Sequence, residues 1–228
     1  MVQRTFSWKK HLAAFLITCL LFVIGFMIGL RVSDYRLTLL QELNAEQRAD
    51  FESLQLQYAY LSTSNTSCVA LQNALENSVS QLEDSRVKLE QYLEASSTPT
   101  AFMLEKREYM LAEIRYWLLT GQTEKACGKD HVRILFFYQD DDTCQDCSAQ
   151  GYILTSLKDT FKEKLLIFSL DATSDEPMVE IIKDVYNVST TPGIVVDEEV
   201  FSGLVLKEDL FTTICSHFAE PSYPCPVS

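Results

Sequence analysis

The first hydrophobic pattern in the chain is an uncharged apolar run from Leu12 to Leu30. A run of about this length spans a bilayer as one helix, so we predict a transmembrane helix at 12–30. Basic residues precede the run (Arg4, Lys9 and Lys10), which predicts that residues 1–11 form a short cytoplasmic N-terminus. The chain would then be a single-pass membrane protein with residues 31–228 outside the cytoplasm. A cleaved signal peptide is the alternative, although no A-x-A-like cleavage site follows.

Apolar residues at helical spacing continue after the run, with two interruptions rich in Ser, Thr and Pro, at 62–67 and 96–100. We therefore predict an extracytoplasmic helical domain at 31–127, with three antiparallel helices near 34–61, 68–94 and 101–120. Gly121 is expected to cap the third helix. Leucines on a seven-residue spacing also fit a long coiled coil. The apolar stripe predicts a helical core, with a spacer or docking role for the region as a hypothesis.

Two cysteines flank the last two predicted helices. Because short connections favour antiparallel neighbours, the start of the helix at 68–94 and the end of the helix at 101–120 should lie at the same end of the bundle. Cys68 and Cys127 would then be close enough for a disulfide, which requires α-carbons within about 7 Å. A pair of free thiols in small apolar sites is the alternative.

The pattern changes from His131 onward, where runs of β-formers alternate with helical segments. The order of elements is β-α-β-α-β-β-α, which predicts an α/β domain at 128–218 followed by a C-terminal tail at 219–228. The predicted elements are a strand at 132–138, a helix reaching Phe161, a strand at 165–170, a helix around Ile182, a hairpin at 194–201 and a helix at 207–218.

Charge and cysteine content narrow the classes of function. The net charge of −13 argues against a nucleic-acid partner, because phosphates would be repelled. Six of the seven cysteines follow the apolar run, an even number that is compatible with disulfides in an oxidising compartment. Among them, Cys215 and Cys225 are close enough in sequence to form a disulfide that joins the tail to the final helix. We expect no metal, because the CxxC at 144–147 lacks a second ligand pair and the acidic run at 140–142 fits a solvated loop better than a calcium site.

Two motifs within the α/β domain carry the chemistry. Cys144-Gln145-Asp146-Cys147 follows the first predicted strand and opens a helix, and Thr191-Pro192 directly precedes the predicted hairpin. On these motifs and the order of elements, residues 131–218 resemble the thioredoxin superfamily. The N-terminal half is also similar to that of membrane-anchored, single-pass thioredoxin-like proteins of archaea. The resemblance implies that Pro192 is cis and faces the cysteine pair, and that Thr191 offers backbone contacts to an extended peptide substrate.

The expected function is thiol–disulfide exchange without a cofactor, on protein disulfides of exported proteins or with a membrane redox partner. A helix N-terminus favours a thiolate, so Cys144 is the predicted nucleophile and Cys147 the resolving thiol. The chain departs from the usual pattern: Gln145-Asp146 replaces Gly-Pro, no Trp precedes Cys144, and Tyr138 stands near the usual position of a buried acid. Nearby acids disfavour the thiolate, which favours a reductase or isomerase over an oxidase. The alternative is a redox-inert adaptor whose CxxC is a structural disulfide.

Overall fold

The computed structural model describes residues 15–29, 31, 67–94, 98–128, 131–140, 142–218 and 224–225, together with residues 53, 55 and 59. The chain divides into two compact units, Met1–Tyr60 and Leu61–Ser228. In the first unit, residues 15–29 form a helix whose side chains are exposed. The second unit contains the α/β domain and the helices that precede it.

A transmembrane helix was predicted for the apolar run at 12–30, and the described part of this run, residues 15–29, is helical. Within the ranges described above, no helix is both long and apolar enough to cross a membrane. The predicted transmembrane helix, and the single-pass location with a cytoplasmic N-terminus that depended on it, are therefore wrong.

Two long helices, α1 (Cys68–Glu94) and α2 (Pro99–Cys127), form a hairpin. The Thr98 hydroxyl accepts a hydrogen bond from the Ala101 N–H at 3.4 Å, and Pro99 occupies the first helical turn, so the sequence caps α2 where it begins. A disulfide joins Cys68 to Cys127, with the α-carbons 5.3 Å apart, and fixes the start of α1 to the end of α2. The helix predicted near 34–61 lies outside the described residues, apart from residues 53, 55 and 59.

Gly121 lies inside α2 and does not end it, contrary to the prediction. A Cβ atom at this position would lie 2.9 Å from Nη1 of Arg133, so glycine allows the guanidinium group to approach the helix closely. Arg133 Nε in turn forms an ion pair with Glu124 at 3.0 Å. The helix ends at Gly128, which adopts a positive φ of 92°.

A four-stranded sheet forms the centre of the α/β domain. Its strands are β1 (Val132–Tyr138), β2 (Leu165–Asp171), β3 (Gly193–Val196) and β4 (Glu199–Ser202), in the spatial order β2-β1-β3-β4. β1 pairs with β2 in parallel and with β3 antiparallel. β1 is therefore central, which fits its almost entirely apolar sequence.

Three more helices complete the domain: α3 (Gln145–Phe161), α4 (Pro177–Tyr186) and α5 (Lys207–His217). From Val132 the order of elements is β-α-β-α-β-β-α, with a short 3-10 helix between α3 and β2. Alternate residues of β1 point to opposite faces of the sheet. Phe136 joins the core cluster that includes Leu157 of α3 and Ile214 of α5. On the other face, Phe137 joins residues of α2 and α4.

The end of the chain is tied to α5. A disulfide joins Cys215 to Cys225, with the α-carbons 5.5 Å apart. Cys225 is buried in the same core cluster as Ile214. The disulfide and the burial of Cys225 therefore attach residues 224–225, the described part of this segment, to the domain.

Candidate redox site

The chain passes from β1 to α3 through a tight turn built on one carbonyl group. The Asp140 carbonyl oxygen accepts hydrogen bonds from the N–H groups of Thr143 at 2.9 Å and Cys144 at 3.0 Å. The Thr143 hydroxyl donates to the same oxygen at 2.9 Å. These bonds fix the turn that places Cys144 at the N-cap position of α3.

Cys144 and Cys147 are joined by a disulfide across the first turn of α3, with the α-carbons 5.4 Å apart. Both are largely buried, and Cys144 is the more exposed of the two, at 7% against 3% for Cys147. The unpaired N–H groups and the positive end of the helix dipole lie beside Cys144, and both favour a thiolate there. Exposure and position therefore both favour Cys144 as the sulfur that meets another molecule.

The loop before β3 reaches the same end of the sheet. Phe137 of β1 pairs with Gly193 of β3, so Pro192, one step further along, lies across from Tyr138 at the end of β1. The Thr191–Pro192 peptide bond is cis. The Pro192 carbonyl oxygen accepts a hydrogen bond from the Gly203 N–H at 2.8 Å, which ties the loop to the end of β4. The fold thus brings Thr191 and Pro192 to the end of the sheet from which the chain turns into the CxxC.

Gly193 is the residue that lets this loop pack closely. A Cβ atom there would lie 2.6 Å from Cγ1 of Val188 and 2.9 Å from the Thr190 carbonyl oxygen. We expect Gly193→Ala to displace the loop and to cost about 2 kcal/mol of stability, in the range of overpacked cores. Because small displacements at a reacting site are costly, insulin reduction should also slow by about tenfold.

Urea denaturation and an insulin-reduction assay measure both effects of Gly193→Ala. Gly151→Ala on α3 is the matched control, because nothing lies within 4 Å of a Cβ atom built at Gly151. That variant should keep the wild-type rate. Wild-type stability and activity in Gly193→Ala would show that the loop does not depend on this close packing.

A lysine that the sequence reasoning missed faces the turn before Cys144. Lys106 of α2 lies 2.6 Å from Oδ2 of Asp171 and 3.9 Å from Oδ1 of Asp140. Burial alone would raise the pKa of Asp171, but hydrogen bonds from Lys106 and Thr173 outweigh it and hold that pKa below its ordinary value. The Lys106 ammonium therefore forms its close ion pair with Asp171 and only a longer contact with the exposed Asp140 carboxylate. Lys106 and Asp171 are 65 positions apart, so no local pattern could have revealed the contact.

Tyr138 packs beneath the same lysine. The Lys106 ammonium lies 5.7 Å from the centre of the Tyr138 ring, which in turn stacks on Phe136 at 5.8 Å. Burial raises the pKa of the Tyr138 hydroxyl, against the opposing effect of Lys106. Tyr138 therefore stays neutral near pH 7 and acts as a packing surface for the cation.

The sequence expectation of no metal concerns the same residues. Among the described residues, no group of three or more His, Cys, Asp or Glu side chains is arranged to hold a metal ion. Both cysteines of the CxxC are occupied by their mutual disulfide.

Neither a protein-family model nor a curated protein matches the chain. Solved structures do. A malarial protein is 19% identical over 39% of this chain and 99% of its own, with a TM-score of 0.32. Thioredoxin-2 of a malaria parasite, a component of its protein secretion machinery, is 20% identical over 38% and 84%, with a TM-score of 0.31. The germline-specific thioredoxin Deadhead of Drosophila melanogaster is 14% identical over 48% and 94%, with a TM-score of 0.34.

Two of these three structural neighbours are thioredoxins, but identities of at most 20% and TM-scores of at most 0.34 carry no argument about activity. The function has to be argued from the residues of this chain.

Proposed function

We propose that this chain is a thiol–disulfide oxidoreductase whose redox pair is Cys144 and Cys147. The observation that carries the proposal is the disulfide between them at the first turn of α3. There, the more exposed sulfur lies at a helix N-terminus, and the loop of Pro192 reaches the same end of the sheet. A sulfur at a helix N-terminus is the arrangement that activates cysteine.

In the reducing direction, the Cys144 thiolate attacks one sulfur of a protein disulfide, and the other substrate sulfur leaves as a thiolate. Cys147, deprotonated, then attacks the Cys144 sulfur and releases the second substrate thiolate. The substrate gains two electrons, and the pair returns to its disulfide. A dithiol reductant must restore the reduced pair before the next cycle. Oxidation of a substrate dithiol runs along the same path in reverse.

The local charges favour reduction or isomerisation over strong oxidation. Asp142 and Asp146 are exposed beside Cys144, and each carboxylate disfavours the Cys144 thiolate. The nearby cation, Lys106, is paired with Asp171 and lies 3.9 Å from Asp140. A less stable thiolate makes the dithiol form less stable, which lowers the reduction potential of the pair. Thr191 would supply backbone contacts to an extended substrate at the neighbouring loop.

Removal of both exposed acids, in Asp142→Asn/Asp146→Asn, should raise the reduction potential. An exposed carboxylate at about 7 Å costs the thiolate roughly 0.6 kcal/mol before screening. Two such charges correspond to about 25 mV for a two-electron couple, and to less at physiological salt. Glutathione equilibration at low and high salt measures the shift.

The control removes equal charge from the far end of α3 and from the 3-10 helix that follows it, in Asp159→Asn/Glu163→Gln. Residue 159 is thirteen positions from Asp146, about 20 Å along the helix axis, which is well beyond a Debye length. This variant should keep the wild-type potential. Equal shifts in the two variants would mean that net charge, rather than local charge, sets the potential.

The activity itself is tested on the full chain by the reduction potential, insulin reduction with dithiothreitol, and refolding of a scrambled disulfide substrate. A low potential with insulin reduction supports a reductase, and reactivation of the scrambled substrate supports an isomerase. The second candidate is a redox-inert adaptor, which the low exposure of Cys144 favours. A pair that stays oxidised in excess dithiothreitol, with no activity in either assay, would support the adaptor and contradict our proposal.

A further inference from the structure

A cavity of about 460 Å³ lies beyond the open edge of β2, between α2 and α3. β2 is an edge strand of the sheet, so one side of its backbone has no neighbouring strand. The cavity is lined by Tyr109 and Glu113 of α2, by Phe136, Ile167 and Ser169 of the sheet, and by residues of α3. Its volume is within the range of small-molecule sites.

Glu113 is a buried carboxyl group in the wall of this cavity, and it is only 4% exposed. Its Oε1 accepts hydrogen bonds from the Tyr109 hydroxyl at 3.2 Å and from the Ser169 N–H at 3.4 Å. Its Oε2 is buried and has no hydrogen-bond partner in the described part of the chain. A buried carboxylate oxygen without a donor is costly, so this oxygen marks a place for a donor from outside.

Two other polar groups that line the cavity, on Thr155 and Lys158, donate to backbone carbonyl oxygens. The Thr155 hydroxyl donates to the Gly151 carbonyl oxygen at 2.9 Å. The Lys158 ammonium donates to the carbonyl oxygens of Lys162 at 3.0 Å and Leu165 at 2.8 Å. The cavity therefore offers an acceptor at Glu113, together with aromatic surface.

The aromatic side chains that line the cavity favour a cationic ligand. Phe136 is buried in the wall, Tyr109 lies beside Glu113, and Tyr152 is 78% exposed and also lines the cavity. Aromatic faces attract cations, and a carboxylate that needs a donor selects cations that carry N–H groups. We propose that this cavity binds a guanidinium or primary ammonium group through Oε2 of Glu113. The group could belong to a small free amine or to an Arg or Lys side chain of a peptide.

The ionisation of Glu113 makes the binding depend on pH. Burial raises the pKa of Glu113 to about 8, against the opposing hydrogen bonds from Ser169 and Tyr109. Tyr109 and Tyr138 interact with Glu113 electrostatically, and burial raises the pKa of both tyrosines. The Lys158 ammonium lines the same cavity. A carboxylate with a pKa of about 8 is about 90% ionised at pH 9 and about 10% ionised at pH 7. Because the cation binds the ionised form, its affinity should fall about tenfold between these values.

Titration of the full chain in its oxidised form with methylguanidinium, followed by NMR shifts at pH 7 and pH 9, tests the proposal. We expect one site per chain, about tenfold weaker binding at pH 7, and loss of binding in Glu113→Gln. Glu108→Gln removes the same charge from an exposed position on the same helix and should bind as the wild type. Methylurea, which is neutral, and tetramethylammonium, which has no N–H donor, should bind at least tenfold more weakly.

A blocked Ala-Arg-Ala peptide distinguishes the two sources of the cation. Tighter binding than methylguanidinium indicates a peptide side chain, and weaker binding indicates a small free amine. The pH dependence in the wild type keeps the test valid even if Glu113→Gln fails to fold. Absence of binding at pH 9, equal binding to Glu113→Gln, or equal binding of methylurea would overturn the proposal.

Discussion

Replacement of Cys144 by Ser should reduce the rate of insulin reduction by about a thousandfold or more. Serine is nearly isosteric, but its hydroxyl is not ionised at neutral pH and cannot form a mixed disulfide, so the first step of the exchange is lost. The fold should persist, because the core clusters and the other two disulfides do not depend on Cys144. The values of kcat/KM for wild type and variant measure the effect.

The control for this experiment is the double variant Cys215→Ser/Cys225→Ser. It removes another disulfide from the same domain, one that joins α5 to the end of the chain, and it should keep most of the activity. Full activity in Cys144→Ser would rule out the assigned nucleophile. Loss of activity in both variants to the same extent would indicate a general loss of structure.

Loss of the Cys68–Cys127 disulfide should strongly lower the stability of the fold. It closes a loop of 59 residues, and the loss of chain entropy in the unfolded state corresponds to about 4 kcal/mol. The double variant Cys68→Ser/Cys127→Ser should therefore unfold at a much lower urea concentration. Denaturation without reductant, followed by far-UV circular dichroism, measures the difference in free energy of unfolding.

The Cys215–Cys225 disulfide offers a comparison of loop length. It closes a loop of 10 residues, for which the same relation gives about 3 kcal/mol. We expect the variant without Cys68–Cys127 to be the less stable of the two. Unchanged stability of that variant would mean that packing between α1 and α2, rather than the covalent link, holds the hairpin together.

The α/β domain could be read from the chain because its signals are local. Strong β-formers in β1, the CxxC and the Thr-Pro motif each lie within a few residues. Helical periodicity located α1 and the start of α2, but α2 extends seven residues beyond its predicted end at 120. Gly121 shows the limit of such signals. Glycine often caps a helix, but Gly121 lies inside α2. A side chain there would collide with Arg133, which comes from β1 and is distant in sequence.

The features that sequence reasoning missed are contacts between distant residues. Lys106 meets Asp171 across 65 positions, and Glu113 meets Ser169 across 56. A single lysine or glutamate on an amphipathic helix usually faces solvent, so the sequence did not predict a buried contact for either residue. The error at 12–30 has a different origin: the prediction came from hydropathy alone, whereas no helix among the described residues is both long and apolar enough to cross a membrane.

The most direct test of the central claim is to trap the mixed disulfide. Full-length Cys19→Ser/Cys147→Ser, with the Cys68–Cys127 and Cys215–Cys225 disulfides left intact, is incubated with a disulfide-bonded peptide, alkylated and mapped by mass spectrometry. We predict one peptide adduct per chain, located on Cys144, and no adduct in Cys19→Ser/Cys144→Ser/Cys147→Ser. An adduct spread over other cysteines, or no adduct on Cys144, would contradict the assignment of this pair as the redox site.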